Sequence, residues 1–310
     1  MSEPVDFASR IYVAGHMGLV GSALVRRLEG RKNLILRTRA ELDLTDAAAV
    51  NRFFAEQRPT QVYVAAGRVG GIRDNATHPA DFIRDNLLIA ANVIDAAYRH
   101  GTQKLLYLGS SCVYPKHAPQ PIRPEALLSG ALEPTNRAYA IAKIAGLELC
   151  RAYREQYGFN AIAAMPTNLY GPFDRFDAER SHVIPALLLR FAEAVRTGAK
   201  EIRVWGSGRP RREFLYADDL AEALECLMDR YEGEAIVNVG CGEDLPIAEL
   251  ATLIAATVGF QGEIRFDPTE PDGTPQKLLD ISVMRSFGWK PRTPLARGLA
   301  QTWAWLRARS

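Results

Sequence analysis

The chain has 310 residues, 47% hydrophobic and 24% charged, with 38 Lys and Arg against 36 Asp and Glu for a formal net charge of +2. At about 100–200 residues per domain this is one large domain or two ordinary ones, with a core that needs no disulfide or metal staple. The charge balance leaves no footprint for nucleic acid, no apolar run approaches the ~18 residues of a membrane span, and the four cysteines (Cys112, Cys150, Cys226, Cys241) form no C-x-x-C pair that would suit zinc or a disulfide framework.

The start, Met1-Ser2-Glu3-Pro4-Val5-Asp6, lacks the basic and apolar regions of a secretory signal, which makes a cytoplasmic enzyme the expectation. From there to about residue 166, short β-rich runs alternate with amphipathic stretches, the rhythm of βαβ units on a parallel sheet. Strands are predicted at 10–14, 34–36, 61–65, 104–108 and 161–165, each apolar enough to be buried on both faces. The clearest helix is predicted over 79–100, where Phe82, Leu87, Ile89, Val93, Ile94 and Ala97 approximate a 3.6-residue period before Gly101.

After Gly171-Pro172 the rhythm changes. Helices are predicted at 184–195, 218–230, 247–258 and 295–308, with short strands at 202–205, 235–239 and 263–266. The fold class is therefore α/β, a Rossmann-like doubly wound parallel sheet (1–171) beside a smaller α/β lobe (172–310), some of whose segments return to the sheet half. A cleft between two such lobes is a preferred small-molecule site.

The first strand runs directly into Gly15-His16-Met17-Gly18-Leu19-Val20-Gly21 and then a helix. Three glycines at a strand-to-helix turn let backbone approach a pyrophosphate seated on the helix N-terminus. At the end of the second strand, Arg37-Thr38-Arg39 offers two arginines and no acid. That favours NADP(H), whose 2′-phosphate an arginine accommodates, over NAD. Asp43 and Leu44 are candidates for the adenine pocket.

Tyr139 and Lys143, four apart on one helix face, form a Y-x-x-x-K pair, and Gly109-Ser110-Ser111 lies at the carboxyl end of the fourth strand, where open α/β sheets bind ligands. A nearby ammonium is expected to lower the phenol from its usual value near ~10, and Ser110 to share a substrate carbonyl with it. Together with the glycine turn this resembles the extended short-chain dehydrogenase/reductase superfamily. Cys112 adds a thiol that hydride transfer does not need. As a thiolate near Lys143 or a histidine it would serve as a base. His182 opens the first helix of the second lobe.

Longer blocks narrow the resemblance. Val69-Gly70-Gly71-Ile72, Gly109 through Pro115, Glu133-Pro134-Thr135-Asn136, Tyr139 through Lys143, Pro166-Thr167-Asn168-Leu169-Tyr170-Gly171-Pro172, Ser181 through Leu187, Val204-Trp205-Gly206-Ser207-Gly208, Arg212-Glu213-Phe214 and Pro271 through Pro275 closely resemble the GDP-L-fucose synthase family over nearly the whole chain. The resemblance implies epimerisation at C3 and C5 of GDP-4-keto-6-deoxy-D-mannose followed by NADPH-dependent reduction at C4. It further implies Cys112 as base, His182 as acid, Ser110 and Tyr139 on the carbonyl oxygen, and Lys143 on Tyr139 and the nicotinamide ribose. Leu108, Gly109, Ser111, Pro166, Thr167, Asn168, Leu169 and His182 join the cofactor set. GDP falls to Arg190, Trp205 and Arg212, with Asp272 a weaker candidate and Lys277 weaker still. No metal is implied, and a homodimer through helices near 79–100 and 139–157 is.

Three positions depart from the family pattern: Met17, where arginine is usual, and Gly67-Arg68, where Ala-Lys is usual. NADP preference then rests on Arg37 and Arg39. A colitose-type relative acting on another GDP-4-keto sugar is the alternative within this class, and a non-catalytic nucleotide-sensing protein on the same fold is the alternative outside it.

Overall fold

The computed structural model describes residues 10–31, 33–177, 181–234, 236–270 and 272–309. The first half runs β1 (Ile11–Ala14), α1 (Leu19–Arg27), β2 (Leu34–Ile35), α2 (Ala47–Gln57), β3 (Gln61–Val64), α3 (Ile72–Thr77), α4 (Pro79–Arg99), β4 (Lys104–Leu108), α5 (Arg137–Tyr157), β5 (Ala161–Pro166) and β6 (Asn168–Tyr170). The second runs α6 (Val183–Thr197), β7 (Glu201–Trp205), β8 (Arg211–Arg212), β9 (Phe214–Tyr216), α7 (Ala217–Arg230), β10 (Val237–Val239), β11 (Leu245–Pro246), α8 (Ile247–Val258), β12 (Glu263–Asp267), β13 (Gln276–Lys277), α9 (Ser282–Ser286) and α10 (Leu295–Arg307).

Side-chain alternation builds the main sheet. Along β1, Ile11 and Val13 enter one apolar cluster with α1 and α7, while Tyr12 and Ala14 enter another with α2, α4 and α5. That is the period of a strand covered on both faces. The six strands are parallel in the order β2-β1-β3-β4-β5-β10. The chain reverses direction across the sheet between β1 and β3, the switch point where such sheets bind ligands. A third cluster, built on α6, α8, α10, β7 and β9, is the core of the smaller lobe.

The sixth strand is contributed from beyond residue 172. Val237 and Val239 are fully buried and pair with Ala164 and Pro166 of β5; the start of that predicted strand, Ala235, lies outside the described residues. Helix α7 returns with it, sending Leu220, Leu224 and Leu227 into the sheet cluster. Both segments bury their apolar side chains in the same cluster as β1 and α1 of the main sheet. Among the described residues no helix is long and apolar enough to cross a membrane.

Candidate active site

A cleft of about 1000 Å³ runs along the carboxyl ends of the sheet strands and between the halves. Its dinucleotide end is shaped by close backbone approach. Gly15 adopts φ +82°, and a Cβ there would lie 2.7 Å from the Ala66 Cα; one on Gly21 would lie 2.0 Å from the Gly15 carbonyl oxygen. Gly18 begins α1, its N–H donating to the Gly15 carbonyl at 3.0 Å, and α1 has neither a side-chain cap nor an acid in its first turn. A helix start left open in this way suits an anion.

Gly15, Gly18, Leu19, Val20, Arg37, Arg39, Asp43 and Leu44 line the cleft; His16, Met17 and Gly21 do not. Gly21 supports the turn from beneath, Met17 is 66% exposed, and the buried His16 Nδ1 has no hydrogen-bond partner. The Arg37 guanidinium lies 5.8 Å over the Phe53 ring and donates to the Leu36 carbonyl at 2.8 Å. Arg39 is 3.8 Å from Asp43, whose carboxyl is held below its ordinary value by hydrogen bonds from Thr45. Open N–H groups and two arginines fit a phosphorylated dinucleotide.

Leu108, Gly109, Ser110, Ser111, Cys112, Tyr139, Lys143, Pro166, Thr167, Asn168, Leu169 and His182 meet in the centre of the same cleft. Ser110 Oγ accepts the Cys112 N–H at 3.3 Å, and its hydroxyl hydrogen-bonds to the Tyr139 phenol in the sense that favours the phenolate. Lys143 is buried, donates to the Leu108 carbonyl at 2.8 Å, and is lowered by burial to about 8. Here the structure corrects the sequence expectation for Tyr139. Its phenol is raised, chiefly by burial and further by Cys112, with Ser110 opposing. The ammonium of Lys143 faces a carbonyl and lies 6.0 Å from the Tyr139 ring centre, too indirect to offset desolvation.

The cation that does meet an ionisable atom comes from β13. Lys277 places Nζ 3.4 Å from the Cys112 sulfur. Burial alone would raise this thiol, but Lys277, Ser110 and Arg212 outweigh it and leave the thiol below its ordinary value. His182, at the start of α6, is lowered by burial and by the same Lys277. One ammonium thus favours a thiolate and a neutral imidazole together. Lys277 ranked lowest among the sequence candidates because nothing in a two-residue strand announces a partner 165 positions away.

The substrate-lobe wall carries Arg190, Trp205, Arg212, Asp272 and Lys277. The Arg190 guanidinium lies 5.6 Å over the Trp205 ring and bonds to the Arg203 carbonyl. Burial depresses Arg190 and Arg212 alike. Asp272 spends both oxygens on Ser207, accepting from its N–H at 2.6 Å and its hydroxyl at 2.8 Å. It thereby fixes the turn at Gly206, whose φ of +81° admits glycine most easily, and so sets the place of Trp205. Pro271, in the same predicted turn, lies outside the described residues.

Glu213 carried no assignment from sequence and is fully buried. Its carboxylate accepts from the N–H groups of Gly242 at 2.6 Å and Leu279 at 3.1 Å, and its carbonyl from Thr167 and Asn168. It ties the cofactor loop to the segment bearing Lys277. The only advance signal was a charged residue between two binding positions in Arg212-Glu213-Phe214.

A glycine turn at the switch point of a parallel sheet, with serine, tyrosine and lysine at the carboxyl end of β4, is the arrangement of a short-chain dehydrogenase/reductase. A model of the NAD dependent epimerase/dehydratase family matches residues 11–240. GDP-L-fucose synthase 1 of Arabidopsis thaliana is 56% identical over 307 residues, covering 98% of this chain and 95% of that protein. The GDP-L-fucose synthase of Escherichia coli (strain K12) is 51% identical over 307 residues, covering 96% of each. The crystal structure of a GDP-L-fucose synthetase from Naegleria fowleri bound to NADP superposes with a TM-score of 0.89 at 29% identity, covering all of this chain and 96% of that one. The chain belongs to the NAD dependent epimerase/dehydratase family and, within it, to the GDP-L-fucose synthases.

Proposed function

We propose that this protein epimerises C3 and C5 of GDP-4-keto-6-deoxy-D-mannose and reduces C4 with NADPH to give GDP-L-fucose. The observation that carries the reading is the meeting of two proton-handling sets in one cleft, Ser110-Tyr139-Lys143 and Cys112-His182-Lys277. A simple reductase needs the first and has no use for the second.

The chemistry follows from the ketone, which acidifies the hydrogens on both neighbouring carbons. Cys112, held toward its thiolate, takes a proton from C3 or C5, and His182, once it has gained a proton from solvent, returns that proton to the opposite face; Cys112 then loses its own to solvent before the second centre turns over. The enolate oxygen formed meanwhile lies on the hydroxyls of Ser110 and Tyr139. NADPH, when bound, would supply the hydride that the C4 carbon accepts; Tyr139 gives its phenolic proton to the C4 oxygen. Its raised value suits this donor role. The Gly15–Gly21 turn, Arg37 and Arg39 would hold the phosphates of the cofactor, and Lys143 its nicotinamide ribose. Arg190, Trp205 and Arg212 take the GDP. Residues 1–171 form the dinucleotide half and 172–310 mainly the sugar-nucleotide half.

A homodimer through α4 and α5 completes the reading. These helices pack side by side and expose Leu88, Ile141 and Tyr157; sizing by light scattering tests it. A cytoplasmic setting would keep the Cys112 thiol reduced.

The deciding experiment is product identification from the ketosugar nucleotide with NADPH and NADH side by side. In D₂O without reductant, deuterium is expected at C3 and C5, and its absence would remove the epimerase half. A colitose-type specificity would show instead as turnover of a 3-deoxy ketosugar in preference.

A further inference from the structure

Cys112 and Lys277 reach each other from separate segments of the chain. Cys112 sits in the short turn Ser111–Val113 that follows β4, its N–H fixed on Ser110 Oγ at 3.3 Å. Lys277 is carried by β13, which pairs with β8, and its carbonyl accepts the Glu213 N–H at 3.2 Å. Both backbones are therefore held, and Lys277 Nζ lies 3.4 Å from the Cys112 sulfur. Rotation about the flexible lysine stem closes what remains of that gap. Both side chains are partly exposed and line the cleft, so a small solute reaches the sulfur by the route a substrate takes.

A thiolate open to solvent is the form of cysteine that peroxides oxidise. Burial works against the thiolate here, yet Lys277, Ser110 and Arg212 hold the Cys112 thiol below its ordinary value. Among the described residues no second thiol lines the cleft to close a disulfide with an oxidised Cys112. Cys150 lies in the core cluster of α2, α4 and α5, Cys226 stands against Arg230 on α7, and Cys241 donates to the Glu243 carbonyl at 3.1 Å. The nucleophile that faces the sulfur is the Lys277 nitrogen, and a sulfenic acid condenses with nitrogen as well as with sulfur.

We propose that Cys112 and Lys277 form a peroxide-responsive modification site, in which oxidation joins the two side chains through a reversible sulfur–nitrogen bond. The thiolate attacks one oxygen of hydrogen peroxide. The S–O bond forms, the O–O bond breaks, and the departing hydroxide takes a proton from the Lys277 ammonium and leaves as water. The neutral amine so produced attacks the sulfenic sulfur. The S–N bond forms, the S–O bond breaks, and the second hydroxide takes a proton from the nitrogen and leaves as water. Sulfur has given up two electrons, and one peroxide has become two waters. The bond consumes the thiolate and the ammonium together and shields the sulfur from the irreversible sulfinic and sulfonic stages. Its formation does not depend on the substrate; its arrest of exchange at C3 and C5 rests on the reading of Cys112 as base.

The test treats the full chain, loaded with NADP⁺, with a small excess of hydrogen peroxide near neutral pH, blocks the remaining thiols with iodoacetamide and maps tryptic peptides by mass spectrometry. The expected product is the Cys112 peptide joined to the Lys277 peptide, lighter than their sum by two hydrogen atoms and uncleaved after Lys277. Dithiothreitol is expected to separate the two and restore exchange. Dimedone, which traps sulfenic acids, should label Cys112 severalfold more in Lys277→Arg, whose guanidinium keeps the charge and does not attack; that variant should proceed to the sulfinic acid, which dithiothreitol does not reverse. Recovery of Cys112 from the unmodified chain as dimedone adduct or sulfinic acid, with no joined peptide, overturns the proposal, as does equal protection in Lys277→Arg. Failure of the catalytic reading looks different: the joined peptide then forms and is reversed as described, while exchange continues in the joined protein.

Discussion

Lys143 and Lys277 approach the centre of the cleft from opposite halves of the molecule, one on α5 and the other on β13, and each stands near a group that the proposed reaction asks to exchange a proton. Their effects diverge. Lys143 spends its ammonium on the Leu108 carbonyl, and the phenol beside it, Tyr139, rises under burial. Lys277 faces the sulfur of Cys112 directly, and that thiol falls despite burial. Proximity of a cation is not enough to tune a neighbour; the cation has to meet the atom on which charge develops, at a distance where Coulomb attraction exceeds desolvation. In the proposed reaction this becomes a division of labour, with Tyr139 kept protonated as a donor and Cys112 kept ready as a base.

Removing each partner in turn is the strongest way to break this division. Tyr139→Phe is expected to lower C4 reduction by about 10²–10⁴, the usual worth of a positioned proton donor, while deuterium exchange at C3 and C5 persists. Cys112→Ala is expected to abolish exchange on the same scale and still reduce the unepimerised ketone slowly. Proton NMR in D₂O reads exchange and the absorbance of NADPH reads reduction. If Cys112→Ala exchanges at the normal rate, the thiol is not the base and the comparison of the two lysines loses its second half.

Much of this was legible in advance, and what was not has physical causes. Five strands of the sheet announced themselves because each is an apolar run long enough to cross a covered sheet, and Gly15 through Gly21 follows the first of them directly. The edge strand at Val237–Val239 is only three residues long, and its partner β5 is fixed by chain topology that local pattern does not contain. Tyr139 and Lys143 could be paired from their spacing on a helix, yet spacing does not report which atom the ammonium faces, and so the direction of the Tyr139 shift was misjudged. Lys277 could be named only as a weak substrate contact, and Glu213 not at all, for a related reason. Each acts through a contact with a distant segment: Cys112 and Leu279 respectively.

A smaller effect isolates Lys277. In Lys277→Met the Cys112 thiol loses its nearest cation, so its pKa rises and the pH limb on which exchange increases moves in the alkaline direction by about one unit. Below that limb, exchange falls roughly tenfold, because the thiolate fraction drops tenfold per unit. Alkylation by iodoacetamide offers a reading independent of turnover. Cys150 and Cys241 are pushed up by burial to about 12, so Cys112 is expected to label well before either of them near neutral pH, and the substitution should slow its labelling in parallel with exchange. Lys277→Arg retains the charge and should hold the limb near its original place. A variant that loses exchange without any move of the limb would assign Lys277 to substrate binding alone.

The smallest expected effect belongs to Lys143. Burial brings its pKa down to about 8, so the ammonium is largely present at pH 7 and lost as the pH rises through that value. Reduction is therefore expected to decline a few-fold between about pH 7.5 and 9, as the cation we assign to the nicotinamide ribose becomes neutral. Exchange at C3 and C5, which depends on a thiolate, should rise or stay level over the same interval. The two activities of one cleft thus separate with pH alone, in opposite directions and without any mutation. Lys143→Arg keeps its charge throughout, and if it retains measurable reduction, its profile should lose the alkaline decline. A decline that survives in Lys143→Arg would transfer the limb to another group and leave Lys277 as the only lysine whose charge the chemistry feels.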